Sequence, residues 1–127
     1  RMQISKLESK ELDVIIVYRS EQGNLTDLVE HLKPLINTRV NTVVTGDFNI
    51  CYFSNRKNKV TKYLENEGFS QLMKEPTHMK GRHLDHLYFR PGNKPVEIAS
   101  IYRYSPYYSD HDAICATVRV PETETLH

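Results

Sequence analysis

Along this 127-residue chain, the apolar positions change period in an order that predicts β-α-β-α followed by several strands. Residues 12–18 form a β-branched run, read as a strand ending at Tyr18. A loop with Gly23 follows, and Asn24 stands where a helix N-cap belongs. Leu25, Leu28, Val29, Leu32, Leu35 and Ile36 then recur at helical spacing and mark one apolar face. Pro34 falls inside that pattern, so the helix is expected to kink or end near Lys33. Residues 40–45 read as a second strand, delivering Gly46 to Asn49 at its C-terminal end. A second helix is expected over about 58–67, with Val60, Tyr63 and Leu64 inward, Gly68 left-handed beyond its end and Phe69 packing back. Short strands are expected at about 69–73, 84–90, 96–103 and 112–120, with Pro91-Gly92-Asn93 as a hairpin turn between two of them. The residues before Leu12 read as a short polar lead.

This order predicts an α/β fold: a layered sandwich with a mixed sheet and helices packed on one face. Val14-Ile15-Ile16-Val17 and Ala113-Ile114-Cys115-Ala116 are continuously apolar, the pattern of strands covered on both faces. Two helices suffice for one face. Nothing else in the sequence is left to cover the other. With no internal repeat or low-complexity linker, residues 1–127 are expected to form a single domain.

Composition narrows the classes without choosing one. Hydrophobic residues make up 39% and charged residues 26%, as in ordinary globular chains. A net charge of +1 gives no global attraction to polyanions, so nucleic-acid binding would need a local patch. Cys51 and Cys115 fit no metal spacing and read as two reduced thiols of an intracellular protein. No apolar run reaches the ~20 residues that span a bilayer, and the opening residues carry no signal-peptide pattern. No membrane association is expected.

Candidate chemistry sits in three acidic stretches at strand ends: Gly46-Asp47-Phe48-Asn49, Leu84-Asp85-His86 and Ser109-Asp110-His111. Loops held on a rigid sheet are the usual carriers of active-site groups. Asp47 and Asn49, two apart, leave a strand on the same side, where an Asp can orient water and an Asn can bond a phosphate oxygen. The same residues are also ordinary turn formers. Asp85 and His86 must point to opposite strand faces; Asp85 is the better site candidate, because a buried carboxylate can orient an imidazole such as His111. His86 reads as a packed or surface histidine. His78, His83 and His86 match no familiar structural-zinc spacing. Asp110 is free to hold a cation through hard oxygen ligation, although the stretch around it also reads as a charged turn. Arg56, Lys57, Lys59 and Lys62, with Arg19, Lys80 and Arg82, could form a basic patch beside the site or a solvated surface. Tyr102, Tyr104, Tyr107 and Tyr108 interleave with Arg103 and offer stacking surfaces.

Taken together and in this order, the three stretches resemble the C-terminal half of the exonuclease–endonuclease–phosphatase superfamily, which includes deoxyribonuclease I-like nucleases. The flanks Glu75-Pro76-Thr77-His78 and Tyr107-Tyr108 look most like endonuclease domains of retroelements and helitron-like transposons. The resemblance covers the chain from about Leu12 to Val120 and implies one half of a four-layer α/β sandwich. Residue by residue, it implies that Asp47 positions or activates water, with Asn49 beside it on the phosphate. It implies His111 as the transition-state contact oriented by Asp85, Asp110 in metal binding, and Tyr18 on a phosphate oxygen. Thr77, Arg19, Arg56 and Lys57 would be substrate contacts. The cofactor implied is Mg2+, with Mn2+ as a substitute.

The chain departs from the family in lacking the N-terminal half, with its Asn-bearing and Glu-bearing strands and its second sheet. Glu8 and Glu11 lie in the polar lead and do not replace them. The expectation is therefore a fragment of a longer domain that pairs with a missing half or with a second copy. Three functions follow: magnesium-dependent endonucleolytic cleavage of DNA, hydrolysis of a small phosphoester such as an inositol phosphate or lipid head group, or a non-catalytic binding or dimerisation remnant. A DNA substrate would imply the nucleus in a eukaryote.

Overall fold

The computed structural model describes residues 2–9, 11–20, 22–36, 39–50, 58–72, 85–104 and 113–119. The elements are β1 (Met2–Glu8), β2 (Leu12–Arg19), α1 (Leu25–Leu32), a 3-10 turn (Lys33–Leu35), β3 (Asn41–Asp47), α2 (Lys59–Asn66), β4 (Ser70–Gln71), β5 (Asp85–Arg90), β6 (Glu97–Tyr104) and β7 (Ala113–Arg119). Five strands form a mixed sheet in the order β1-β2-β3-β5-β4, with β6 and β7 in a two-stranded sheet of their own. Only the β2–β3 pair is parallel within the larger sheet; the other pairs are antiparallel. The chain is thus α/β with a mixed sheet.

Local chemistry sets the helix ends. The Asn24 side chain accepts from the Asp27 N–H and caps α1. Pro34 lacks the N–H an α-helix needs, so the chain tightens into a 3-10 turn from Lys33, where the periodicity pointed. Asn58 caps α2 through Thr61 N. At the other end Gly68 takes φ +92, and Phe69 N–H reaches back to Leu64 O at 2.9 Å while Gly68 N–H bonds Glu65 O at 3.1 Å. That closes the helix in a Schellman motif and turns Phe69 into the core. Arg90 adds a donor to the same end through Glu67 O and lies over the Phe69 ring.

The main core lies between the sheet and the helices. Ile15, Val17, Val44 and Tyr88 meet Leu28, Leu32, Val60 and Leu64, all essentially without solvent exposure. Truncating such a side chain costs about 2–5 kcal/mol. The opposite sheet face is different. Val43 and Leu87 are buried there with Leu12, Val14, Leu72 and Phe89 around them, but Ile16 is 44% exposed and Leu7 61%. The strand β2 therefore alternates buried and open positions, and its run Val14–Val17, expected to be covered twice, is covered by the helices on one face only. The side chains of Ala113–Ala116 lie outside the described residues.

Two expectations are corrected. The segment before Leu12 is not an irregular lead: it is the edge strand β1, paired antiparallel with β2. Of its apolar residues, Ile4 and Leu7 fall on opposite faces, so no single-face pattern announces the strand. Backbone pairing and Lys6 hold it; the Lys6 ammonium lies 3.5 Å from the buried Asp13 carboxylate and 3.0 Å from Glu8. Second, Pro91-Gly92-Asn93 does not join paired strands, because β5 and β6 belong to different sheets. Its loop is held instead by Asn41, whose Oδ1 accepts from Gly92 and Val96 N–H and whose Nδ2 donates to Glu11 and Lys94 carbonyls. Among the described residues, no helix is long and apolar enough to cross a membrane.

The Asn41 amide is 1% exposed and satisfies four backbone groups. Asn41→Ala is expected to lower unfolding free energy by roughly 3 kcal/mol or more, since each orphaned buried group costs about 1–3 kcal/mol; urea denaturation followed by circular dichroism measures it.

Candidate functional site

The strand register brings one row of residues across four neighbouring strands at one end of the sheet. Gln3 of β1 pairs with Tyr18 of β2, Tyr18 with Asp47 of β3, and Asp47 with Asp85 of β5. Adjacent strands lie ~4.8 Å apart, so the row spans about 14 Å, comparable to a few nucleotides of a polymer backbone. Tyr18 is 44% exposed and Asp47 is half-buried. The row belongs to the sheet face away from the helices, since Val17 and Val44 face the helices and Tyr18 and Asp47 alternate with them. Three expected site residues, Tyr18, Asp47 and Asp85, are therefore neighbours although distant in sequence. Asp47 and Asp85 occupy directly opposed register positions of the β3–β5 pair.

The turn after β3 explains the spacing of Gly46-Asp47-Phe48-Asn49. At Gly46 φ is +132, and a Cβ there would collide with the carbonyl of Val17 in the neighbouring strand. Glycine is required by the close strand approach. Phe48 then turns inward and anchors the loop: it is fully buried, and its ring stacks on His86 at 4.8 Å with 13° between planes. Asn49 sits at φ +52, a left-handed conformation that Asn tolerates, and its N–H donates to Asp47 Oδ1 at 3.0 Å.

Arg19 was expected at the substrate. Instead its guanidinium is largely buried, with 8% residue exposure, and donates to the carbonyls of Gly23 (3.0 Å), Phe48 (2.8 Å) and Asn49 (3.1 Å). Asn49 Nδ2 returns a bond to the Arg19 carbonyl at 2.7 Å. This side chain ties the loop after β2 to the loop after β3.

Beneath the row lies a buried polar chain that sequence reading did not find. His86 Nε2 donates to Ile50 O at 2.8 Å, because a carbonyl can only accept. With the ring neutral, Nδ1 accepts from the Tyr88 hydroxyl at 2.9 Å, which in turn lies 2.8 Å from Thr61 Oγ1; Asn58 Nδ2 also donates to Thr61. Of the two readings of His86, packed or surface, the structure shows the packed one, and the ring fastens β5 to the segment following β3. Gln3 was missed as well, because its strand carries no one-sided apolar pattern.

His111, Asp110, Thr77, Arg56 and Lys57 lie outside the described residues, as do Lys80 and Arg82; of Asp85 the backbone position alone is described. Lys59 and Lys62 are exposed on α2, in the helix layer, and Lys59 Nζ donates to Thr26 in the first turn of α1. Among the described residues, no three His, Cys, Asp or Glu side chains group to hold a metal ion. The residue types opposed across β3 and β5, both carboxylic acids, fit a hard, oxygen-liganded cation such as magnesium in chemistry. A hollow of about 180 Å3 lined by Glu11, Arg39, Val40, Asn41, Asn93 and Lys94 lies at the opposite end of β3, around the Asn41 amide that braces the fold there.

Gly46→Ala is expected to displace β3 from β2 and to remove any function of the row together with a measurable part of the stability. Loss of the Val17–Gly46 neighbourhood in amide NMR cross-peaks checks it. No protein-family model, curated protein or solved structure matches this chain.

Proposed function

We propose that this chain carries the C-terminal half of a magnesium-dependent phosphodiesterase site acting on DNA. One observation carries the reading: strand register sets Tyr18, Asp47 and Asp85 side by side at the same end of three adjacent strands. Their types suit the attack of water on a phosphodiester. Tyr18 offers a hydroxyl donor to a non-bridging phosphate oxygen. Asp47, whose Oδ1 accepts from the Asn49 N–H, would direct or deprotonate the attacking water. A positioned group of this kind contributes ~10²–10⁴ in rate. Asp85 would orient His111, which would stabilise charge on the phosphate and protonate the leaving oxygen. Asp110 would hold magnesium, which would supply Lewis-acid stabilisation of the same charge.

The open sheet face supports the four-layer reading. Ile16 and Leu7 stand exposed on the face that carries the row, and the second sheet of such a sandwich, from the N-terminal half or another copy, would cover it. Exposed apolar surface of this kind marks an association site. Arg56, Lys57 and Thr77 complete the proposed substrate contacts. A small phosphoester substrate uses the same row, and a binding or dimerisation remnant uses the same open face. The extended row favours a polymer over a small head group.

Supercoiled plasmid with magnesium tests the reading. Magnesium-dependent nicking is expected, reduced at least ~10²-fold by Asp47→Ala and inhibited by rising salt as phosphate contacts are screened. Nicking that persists in Asp47→Ala would sink the assignment. Hydrolysis of inositol phosphates without nicking would select the small-phosphoester reading, and a folded, self-associating but inert chain the remnant.

A further inference from the structure

Arg19 is a buried guanidinium bonded to three backbone carbonyls from two loops, an expensive arrangement for a residue serving packing alone. What it holds is specific. Two of its bonds end on Phe48 and Asn49, the residues that follow Asp47, and the Asn49 amide bonds back to Arg19's own carbonyl. The Phe48 carbonyl and the Asn49 N–H belong to one peptide plane, so the Arg19 bond to Phe48 O holds the plane whose N–H reaches Asp47 Oδ1. The Phe48 ring and the Gly46 contact pin the same turn from inside.

We propose that Arg19 is the positioning residue of the candidate site: through the Phe48 and Asn49 carbonyls it orients the Asn49 N–H that holds the Asp47 carboxylate. This deepens, and for its catalytic consequence rests on, the phosphodiesterase reading. Arg19 acts on the attacking group through the turn, without touching substrate. Lysine, a point charge on a flexible stem, cannot reproduce a planar fork that reaches both loops. Arg19→Lys keeps the charge and loses the direction.

The test is an NMR pH titration of the Asn49 amide in the wild type, in Asp47→Asn and in Arg19→Lys, with plasmid-nicking kinetics alongside. In the wild type the amide shift should follow ionisation of the Asp47 carboxylate that accepts from it, and Asp47→Asn should abolish that response. Arg19→Lys should cut its amplitude by about half or more and lower kcat by about tenfold to a hundredfold, with KM little changed, as misplacement of a reacting group does. An Arg19→Lys chain with the full wild-type amplitude overturns the proposal, whatever its melting temperature. Wild-type chain that shows the amide contrast but no nicking keeps the positioning role and overturns the hydrolase reading instead. Where Arg19→Lys does not fold, the wild type decides through the Arg19 Nη1 protons, which donate to the Phe48 and Asn49 carbonyls. Exchange at least about tenfold slower than in free arginine supports the clamp, and exchange at the free rate overturns it.

Discussion

The parallel pairing of Leu12–Arg19 with Asn41–Asp47 is the constraint on which the remaining structure depends. Parallel strands need a crossover, and α1 supplies it, which places a helix against one sheet face and commits Ile15, Val17 and Val44 to that side. The register then follows, because a one-residue slip would carry those side chains to the other face. At the end of the pair the two backbones come so close that Gly46 admits no side chain. Everything proposed for the site is a consequence. Tyr18 and Asp47 are neighbours because their strands are in register, and β5, paired antiparallel to β3, sets Asp85 opposite.

The same constraint separates the two faces into different physical roles. The helix face is filled by aliphatic packing and by the His86–Tyr88–Thr61 chain, whose buried polar groups bond one another and so fix how β5, α2 and the segment after β3 sit together. That rigidity is spent on the turn after β3, where Phe48 and Arg19 leave Asp47 and Asn49 little freedom. The other face stays partly open, with Ile16 and Tyr18 equally exposed. A carboxylate, a phenol and an apolar surface on one open face suit a site completed by further protein.

Much of this was legible in the sequence, for identifiable reasons. Both helices were visible because their apolar faces repeat and their ends carry strong local signals, Asn24 as a cap, Pro34 and Gly68 as stops. The strand ending at Tyr18 and the turn beginning at Gly46 were visible because β-branched runs stop there. What escaped depends on tertiary partners. The strand Met2–Glu8 is an edge held by backbone bonds and by Lys6 near Asp13, and neither leaves an amphipathic trace. Pro91-Gly92-Asn93 looks like a hairpin turn because nothing local reveals that the distant Asn41 side chain organises it. Arg19 reads as a surface cation beside a phosphate site, since its burial comes from carbonyls far along the chain. Its partners were invisible, and with them its role.

The central claim is that the ends of β2, β3 and β5 form one cation-assisted site. Paramagnetic broadening by Mn2+ in the 15N-labelled chain tests it without requiring turnover. The account predicts that the amides of Tyr18, Asp47, Asn49 and Asp85 broaden together at low metal concentration, while those of Asn41 and Gly92, at the far end of the sheet, stay sharp. Broadening centred on the Glu11–Asn93 hollow, or none at the row, would contradict it.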